Sequence, residues 1–397
     1  MGMHCAHARF LYNIGLEQRK MWHPFKRDRF KITAASQMRE LTEARKEFPW
    51  LAEGATTVQQ GALRDLDRAF RNWWANPTHF KPPTYHSRDR NQGFVVRDLT
   101  LHRLNRKWAA VTIPKTGAVK FRLTRSWAEA VAATSARVTL SSSGQWFVSL
   151  VTAPASFNRI TTGAMTGIDR GVAKTISTSD GIHGNIPMLR DVEQARFLSL
   201  QRQFSRQVRG SRRRESTKLK LNRLRDRLRS RQIDWVEKTT TGLVRDYDII
   251  ALEALQTRNM MKAPAPKPDA DNPGIYLPNG AAAKAGLNRV MQASRWGALG
   301  RRIKDKASRA PDLHPVSVIE VDPRNTSRIC YECGHACKEN RESQAVFRCV
   351  QCGHTAHADT NAAKNILARA IKTMPPDGRF TGVSATSGCS AKLATAA

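Results

Sequence analysis

The spacing of hydrophobic positions changes along the chain, and each change marks a segment. From residue 1 to 92 the period is helical. Phe10, Ile14 and Met21, then Met38, Leu41 and Phe48, make apolar stripes with Arg and Lys between them. The clearest predicted helix is 57–74: Val58, Ala62, Leu66, Ala69, Phe70 and Trp73 fall on one face, Thr57 and Gln60 have capping-box spacing, and Pro77 supplies the stop. Trp73 and Trp74 are read as core residues in preference to base-stacking ones. A basic, proline-stiffened connector, HFKPPTYHSR, occupies 79–88. From Gly93 to Pro154 the period drops to two. FVV, WAAVTI, AVKFRL, ARVTL and WFVSLV, separated by turn residues such as Lys115-Thr116-Gly117 and Ser143-Gly144, predict a small β unit, barrel or sandwich.

A mixed pattern begins at Thr166. TGIDRGVAKTISTSDG predicts a hairpin whose first strand ends in Asp169, with Gly171 in the turn. Leu221, Leu224 and Leu228 then keep a helical seam, and helix continues from Trp235 to Tyr247. DIIALE, 248–253, reads as a buried strand ending in Glu253, and 256–285, rich in Pro, Ala, Asn and Gly, as a loop. A helix over 286–309, a strand over 315–321 and a helix opened by Asp359 complete the pattern.

Candidate chemistry sits at the ends of these elements. A carboxylate closing an apolar strand must be solvated, paired or bound to a cation, because burying it unpaired is costly. Asp359 by itself reads as an ordinary helix cap. Taken with Asp169 and Glu253 it becomes one of three acids at the ends of two strands and the start of a helix, in the order hairpin, helix, strand, helix, strand, helix. That order suits an RNase H-like layer in which acids from separated elements converge on divalent metal. Hard oxygen ligands select Mg²⁺ or Mn²⁺.

A second metal is predicted by cysteine spacing. Cys330/Cys333 and Cys349/Cys352 form two Cys-x-x-Cys-Gly knuckles with fifteen residues between the pairs, the spacing at which four thiolates enclose one structural zinc. Gly334 and Gly353 follow each knuckle, where the chain turns around the metal. Cys5, Cys337 and Cys389 show no pairing logic, and Cys337 is a candidate substitute ligand. Such usage fits a reducing compartment.

Charge then narrows the partner. Lys plus Arg outnumber Asp plus Glu by 66 to 33, a net charge of +33, which points to a polyanion. Residues 201–231 alone carry 13 Lys or Arg against two acids. Arg212, Arg213, Arg214, Lys218 and Lys220 are therefore the candidate phosphate contacts. No apolar run approaches the roughly 18 residues that span a bilayer, and no secretory h-region opens the chain. An intracellular, cytoplasmic protein is expected, with no membrane partner and no small-molecule substrate.

GIDRG with Asp169, ALEAL with Glu253, and TSRICYECG through CVQCGHTAHADTNAAKNI with Asp359 resemble TnpB, the RNA-guided endonuclease encoded by insertion sequences, and its relatives the compact type V CRISPR effectors. ARFLYN near the start resembles that family's first recognition-lobe helix. The resemblance implies an α/β multidomain protein: a helical recognition lobe at 1–92, a small β-barrel wedge domain at 93–160, a RuvC (RNase H-like) nuclease domain at 161–325 that finishes with a last helix at 357–375, an inserted zinc ribbon at 326–356, and a disordered tail at 376–397. It implies guide RNA and target DNA as partners, Asp169, Glu253 and Asp359 as a catalytic triad holding Mg or Mn, Cys330, Cys333, Cys349 and Cys352 as zinc ligands, and 256–285 as a lid. In the family a wedge strand and its connection precede the ARFLYN-like helix, and only seven residues do so here, so either a misassigned start codon or an N-terminally incomplete wedge is expected. Two other classes share parts of this pattern. A transposase of the Asp-Asp-Glu type orders its acids differently, and a catalytically silent RNA-guided regulator is expected to have lost one of the three.

Overall fold

The structure, a computed structural model, describes residues 1–21, 32–90, 92–153, 158–272 and 274–374. The predicted tail, 376–397, with Cys389, lies outside the described residues. The chain forms two compact units, Met1–Pro154 with Leu200–Arg223, and Ala155–Ser199 with the described chain from Leu224 onward.

The first unit begins with α1 (Gly2–Met21), α2 (Ala34–Glu47), the single turn α3 (Pro49–Ala52) and α4 (Thr56–Ala75). Helical period alone leaves open which stripe turns inward, and α1 shows this. Phe10, Ile14 and Met21 lie on the exposed side, while Cys5, Ala8, Leu11, Tyr12 and Leu16 are buried. The reason is Gly15, whose missing Cβ lets Leu63, Leu66 and Gln37 approach to 3.0–3.1 Å of where a Cβ would stand. Close packing against α4 is available only on that side of α1. Phe48 is exposed as well, although Leu41 of the same stripe is buried, because α2 ends at Glu47 and Phe48 is its extended C-cap. The expected capping box is also absent: α4 starts one residue early with Ala55 at the cap and no side-chain hydrogen bond, and Thr57 Oγ1 is buried without a partner. Capping boxes form instead at Thr33 with Ser36 and at Ser126 with Glu129.

Strands β1 (Gly93–Arg97), β2 (Thr100–Arg103), β3 (Trp108–Ile113) and β4 (Gly117–Arg122) are followed by the short α5 (Trp127–Val131), β5 (Ser135–Leu140) and β6 (Trp146–Val151). They form two antiparallel sheets, ordered β1-β5-β6 and β2-β3-β4. Among the described residues the strand hydrogen bonds close no barrel. Phe94, Val96, Val111, Ile113 and Val138 share one core with the buried faces of α1 and α4.

The second unit is built on a five-stranded sheet. Its hairpins are β7 (Met165–Asp169), β8 (Ile176–Thr178) and β9 (His183–Gly184); α6 (Asp191–Arg206) and α7 (Arg212–Asp246) follow in sequence, with their Leu200–Arg223 part belonging to the first unit, then β10 (Ile249–Glu253). After β10 come α8 (Thr257–Met260), a two-residue ladder of β11 (Lys267–Pro268) with β12 (Tyr276–Leu277), α9 (Ala281–Ala293), α10 (Trp296–Ala307) and β13 (Ser317–Val321). The region read as a loop, 256–285, thus holds local structure. The helix expected at 286–309 is two helices, broken where Arg295 takes a left-handed φ of +52°. What forces the break is Trp296, buried with its indole N–H donating to the carbonyl of Gly171 at 3.2 Å. The ribbon strands β14 (Val346–Arg348) and β15 (Thr355–His357) lead directly into α11 (Ala358–Lys372).

The strand order is β13-β10-β7-β8-β9, with β10 parallel to both β7 and β13, and with β8 antiparallel to both β7 and β9. Side chains alternate across a strand. Ile168, Ile250 and Leu252 therefore pack with Leu243, Val244, Leu299 and Ile303 on one face, and Ala251 packs with Ile366 and Ala370 of α11 on the other. The α11 side is also the side toward which the alternation turns Gly167, Asp169 and Glu253.

Gly167 makes that packing possible. A Cβ there would lie 2.1 Å from the Ala363 carbonyl oxygen and 2.7 Å from the Leu367 amide nitrogen, both rigid backbone atoms. Gly167→Ala is expected to lower the stability of this unit by about 3 kcal/mol through overpacking, measured by urea unfolding. Wild-type stability in that variant would show that α11 rests elsewhere.

Candidate active site

Asp169 and Glu253 end neighbouring parallel strands. The register pairs Leu252 with Ile168, so the two acids leave the sheet side by side at its carboxyl edge. Asp359 lies in the first turn of α11, one turn before Ala363, the residue that covers Gly167. Sheet alternation and helix pitch together bring three acids distant in sequence to one cleft of about 650 Å³, also lined by Arg170, Trp296, Thr326 and Arg341.

The electrostatics are those of crowded anions. Asp169 is pushed up to about 7 by burial first, then by Glu253 and Asp359. Burial raises Glu253 as well, opposed by a hydrogen bond from Thr326. Nearby cations compensate only in part. Arg341 Nη2 lies 3.2 Å from Asp359 Oδ1. Arg170 spends its Nη2 on the backbone carbonyl of Glu253, burial lowers its own pKa, and its Nε is buried without a partner. A cleft of hard carboxylate oxygens short of positive charge fits a divalent cation. The carboxylates are not gathered as tightly as the four thiolates described next.

In the ribbon, each knuckle repeats the same turn. Gly334 N–H donates to the Cys330 carbonyl at 2.9 Å and Gly353 N–H to that of Cys349 at 3.0 Å, both glycines with positive φ, +77° and +73°. Cys330 and Cys352 Sγ are 3.7 Å apart, and Cys333 and Cys349 Sγ 3.6 Å. All four sulfurs fall within 4.8 Å of one another. A tetrahedral zinc with bonds of about 2.3 Å has S···S edges of about 3.8 Å, so the cluster fits that ion. The backbone N–H of Cys352 is the main cause holding the Cys349 thiol down to about 6. Cys337 stands outside the cluster and donates to Glu339 Oε2 at 2.6 Å, so it is not a substitute ligand.

Several residues that shape this region were not visible to sequence reading. Asn361 accepts from the Tyr331 amide at 3.0 Å and donates to the Ile329 carbonyl at 2.8 Å, fastening the first knuckle to α11. Asn365, one turn on, donates to the carbonyls of Thr326 and Ile329. Their sequence signal was two asparagines at i and i+4 on the stripe that also carries Ala362 and Ile366. Arg170, Thr326 and Arg341 gave no signal, because their roles depend on groups distant in the chain.

The five cationic candidates behave unequally. Arg214 is turned inward: its Nη1 donates to the carbonyls of Phe204 and Gln207 at 2.5 and 2.8 Å, and its guanidinium stacks over the Phe204 ring at 3.8 Å. It staples the turn between α6 and α7. Lys218 pairs with Glu215 at 3.3 Å. Arg212, Arg213 and Lys220 are exposed.

Comparison with known proteins places this geometry in context. Residues 150–263 match the family described as a probable transposase, and residues 296–366 match the Cas12f1-like TNB domain. The chain is 33% identical over 324 residues, 81% of its length and 76% of the relative's, to the putative RNA-guided DNA endonuclease InsQ of Escherichia coli K12. It is 27% identical over 369 residues, 92% of its length and 84% of the relative's, to a putative RNA-guided DNA endonuclease of Streptomyces pristinaespiralis. Its fold is similar to that of Cas12f1 in a cryo-EM complex with guide RNA and target DNA, with a TM-score of 0.51 and 13% identity across 92% of this chain and 81% of the other. No helix among the described residues is long and apolar enough to cross a membrane.

Proposed function

This chain belongs to the TnpB family, and we propose that it is an RNA-guided DNA endonuclease of transposon origin whose RuvC-like site is Asp169, Glu253 and Asp359. Its partners are a guide RNA and the DNA that the guide matches. The observation that carries the reading is the convergence of these three acids, from two strand ends and one helix start, on one cleft where burial first, and then the neighbouring acids, lift Asp169 to about 7.

In this reading the three carboxylates hold Mg²⁺ or Mn²⁺. When bound, the cation supplies polarisation of the scissile phosphate and activation of a water. The chain's own part is to hold oxygens in place. The sheet fixes Asp169 and Glu253, α11 fixes Asp359, and Arg341 offsets charge at Asp359. Cys330, Cys333, Cys349 and Cys352 hold zinc as a structural ion, with no coordination position left over for chemistry.

The reading is tested by sequencing the RNA that copurifies with the protein and supplying DNA matched to it. Mg²⁺-dependent cutting of matched DNA only is the expected result. Bound RNA with no cutting of matched DNA would leave a guided binder instead.

Nucleic-acid contact is proposed for Arg212, Arg213, Lys218 and Lys220, with Arg214 as the support of their helix. Affinity is expected to fall steeply with salt, and replacing those four by Gln to flatten the log-log slope by about 0.9 for each duplex-DNA phosphate that the variant no longer neutralises. An unchanged slope would mean that the four are merely a solvated face. Arg214→Gln is expected to loosen the turn, seen as faster amide exchange over 204–212.

A further inference from the structure

Glu253 is held by a second group besides its own strand. Thr326, buried in the segment that leads into the ribbon, donates its hydroxyl to Glu253 Oε1 at 2.7 Å. The Pro323 carbonyl, 3.1 Å from the same hydroxyl, is the competing acceptor. One proton serves one acceptor at a time, and the shorter, charge-assisted bond to the carboxylate is the stronger. Glu253 Oε2 has no hydrogen bond among the described residues.

Thr326 is itself fixed by α11. Asn365 Nδ2 donates to the Thr326 carbonyl at 2.9 Å and to the Ile329 carbonyl at 2.7 Å. Asn361 Nδ2 donates to the same Ile329 carbonyl. All three side chains are buried. The helix that carries Asp359 therefore governs Glu253 too, through Asn365 on the Thr326 carbonyl and the Thr326 hydroxyl on Glu253, and the ribbon's entry segment is the link.

We propose that Thr326 is a positioning residue of the nuclease site: its hydroxyl ties down Oε1 of Glu253, fixes the carboxylate's rotation and leaves Oε2 for the divalent cation. The proposal rests on the nuclease reading above. A threonine that merely filled space would act through its methyl group, and valine would replace it well. A threonine that positions acts through its hydroxyl, and serine would replace it instead.

The test uses the full chain with its copurified guide RNA and follows Mn²⁺ binding by the paramagnetic resonance of the free ion. The Asp169→Ala/Glu253→Ala/Asp359→Ala triple variant sets the background from RNA. Thr326→Val is expected to keep its zinc and its target binding while holding Mn²⁺ about tenfold more weakly, the usual scale for losing a group that orients a metal ligand. Thr326→Ser is expected to stay within about twofold of wild type, and cutting should follow the same order. Three outcomes overturn the proposal: valine titrating like wild type, serine as weak as valine, or zinc loss and early melting in both Thr326→Val and Thr326→Ala, which would make the role structural. Should wild type bind Mn²⁺ and target yet leave the DNA uncut, the nuclease reading fails by itself, and the order of Mn²⁺ affinities still decides the role of Thr326.

Discussion

Asp169→Ala, Glu253→Ala and Asp359→Ala are each expected to leave guide-directed DNA binding intact and to cut matched DNA at least about 10³-fold more slowly, several kcal/mol of lost transition-state stabilisation. Any one loss should cost nearly as much as all three, because groups that hold a cation together act as a unit. Binding survives because it draws on base pairing with the guide and on phosphate contacts elsewhere, not on the cleft. Removing one anion also relieves crowding: Asp169 is raised in part by Glu253 and Asp359, so the loss of either is expected to lower the Asp169 pKa. The measurement is paired, cleavage and gel shift of one matched target for wild type and the three variants. Alanine variants that cut at the wild-type rate would remove these residues from the site, whatever becomes of the nuclease reading.

The second large effect concerns zinc. Elemental analysis is expected to find one zinc per chain. Cys330→Ser or Cys352→Ser should release it and unfold the ribbon, whose folding depends on an ion worth on the order of 10 kcal/mol. The loss travels further than the ribbon. The ladder of β14 with β15 runs without a break into α11, the Ala358 amide donates to the Ala345 carbonyl at 2.8 Å, and Asn361 grips the first knuckle. With these anchors gone, the first turn of α11 frays and Asp359 leaves the cleft. Cutting is expected to disappear with the zinc, while Cys337→Ser keeps both, since its sulfur faces Glu339. Full activity in zinc-free protein would show that α11 is held by Gly167 and the sheet alone.

Much of this was legible in the chain before any coordinates. Asp169 and Glu253 could be found because a carboxylate at the end of an apolar run is a local anomaly. The four cysteines could be found because zinc fixes their spacing within about twenty residues. Both signals are short-range, which is where sequence carries physical information most directly. The hairpin at 166–178 and the strands at 249–253 and 317–321 were readable for the same reason, from period and turn residues.

Where period was the only signal, it failed at choices that packing makes. It could not tell which stripe of α1 turns inward, and Gly15 decided that by admitting α4. Nor could it place a break inside 286–309, which follows from burying Trp296 against Gly171. The carboxylates could be picked out in the sequence as residues, but only the tertiary structure brings them to one cleft. Strand alternation turned two of them to one face, Gly167 let α11 come to backbone contact there, and helix pitch carried Asp359 one turn beyond that point. Thr326 belongs wholly to the second category. A lone hydroxyl has no pattern of its own in sequence, and it gains a role only when burial removes water and leaves few partners within reach.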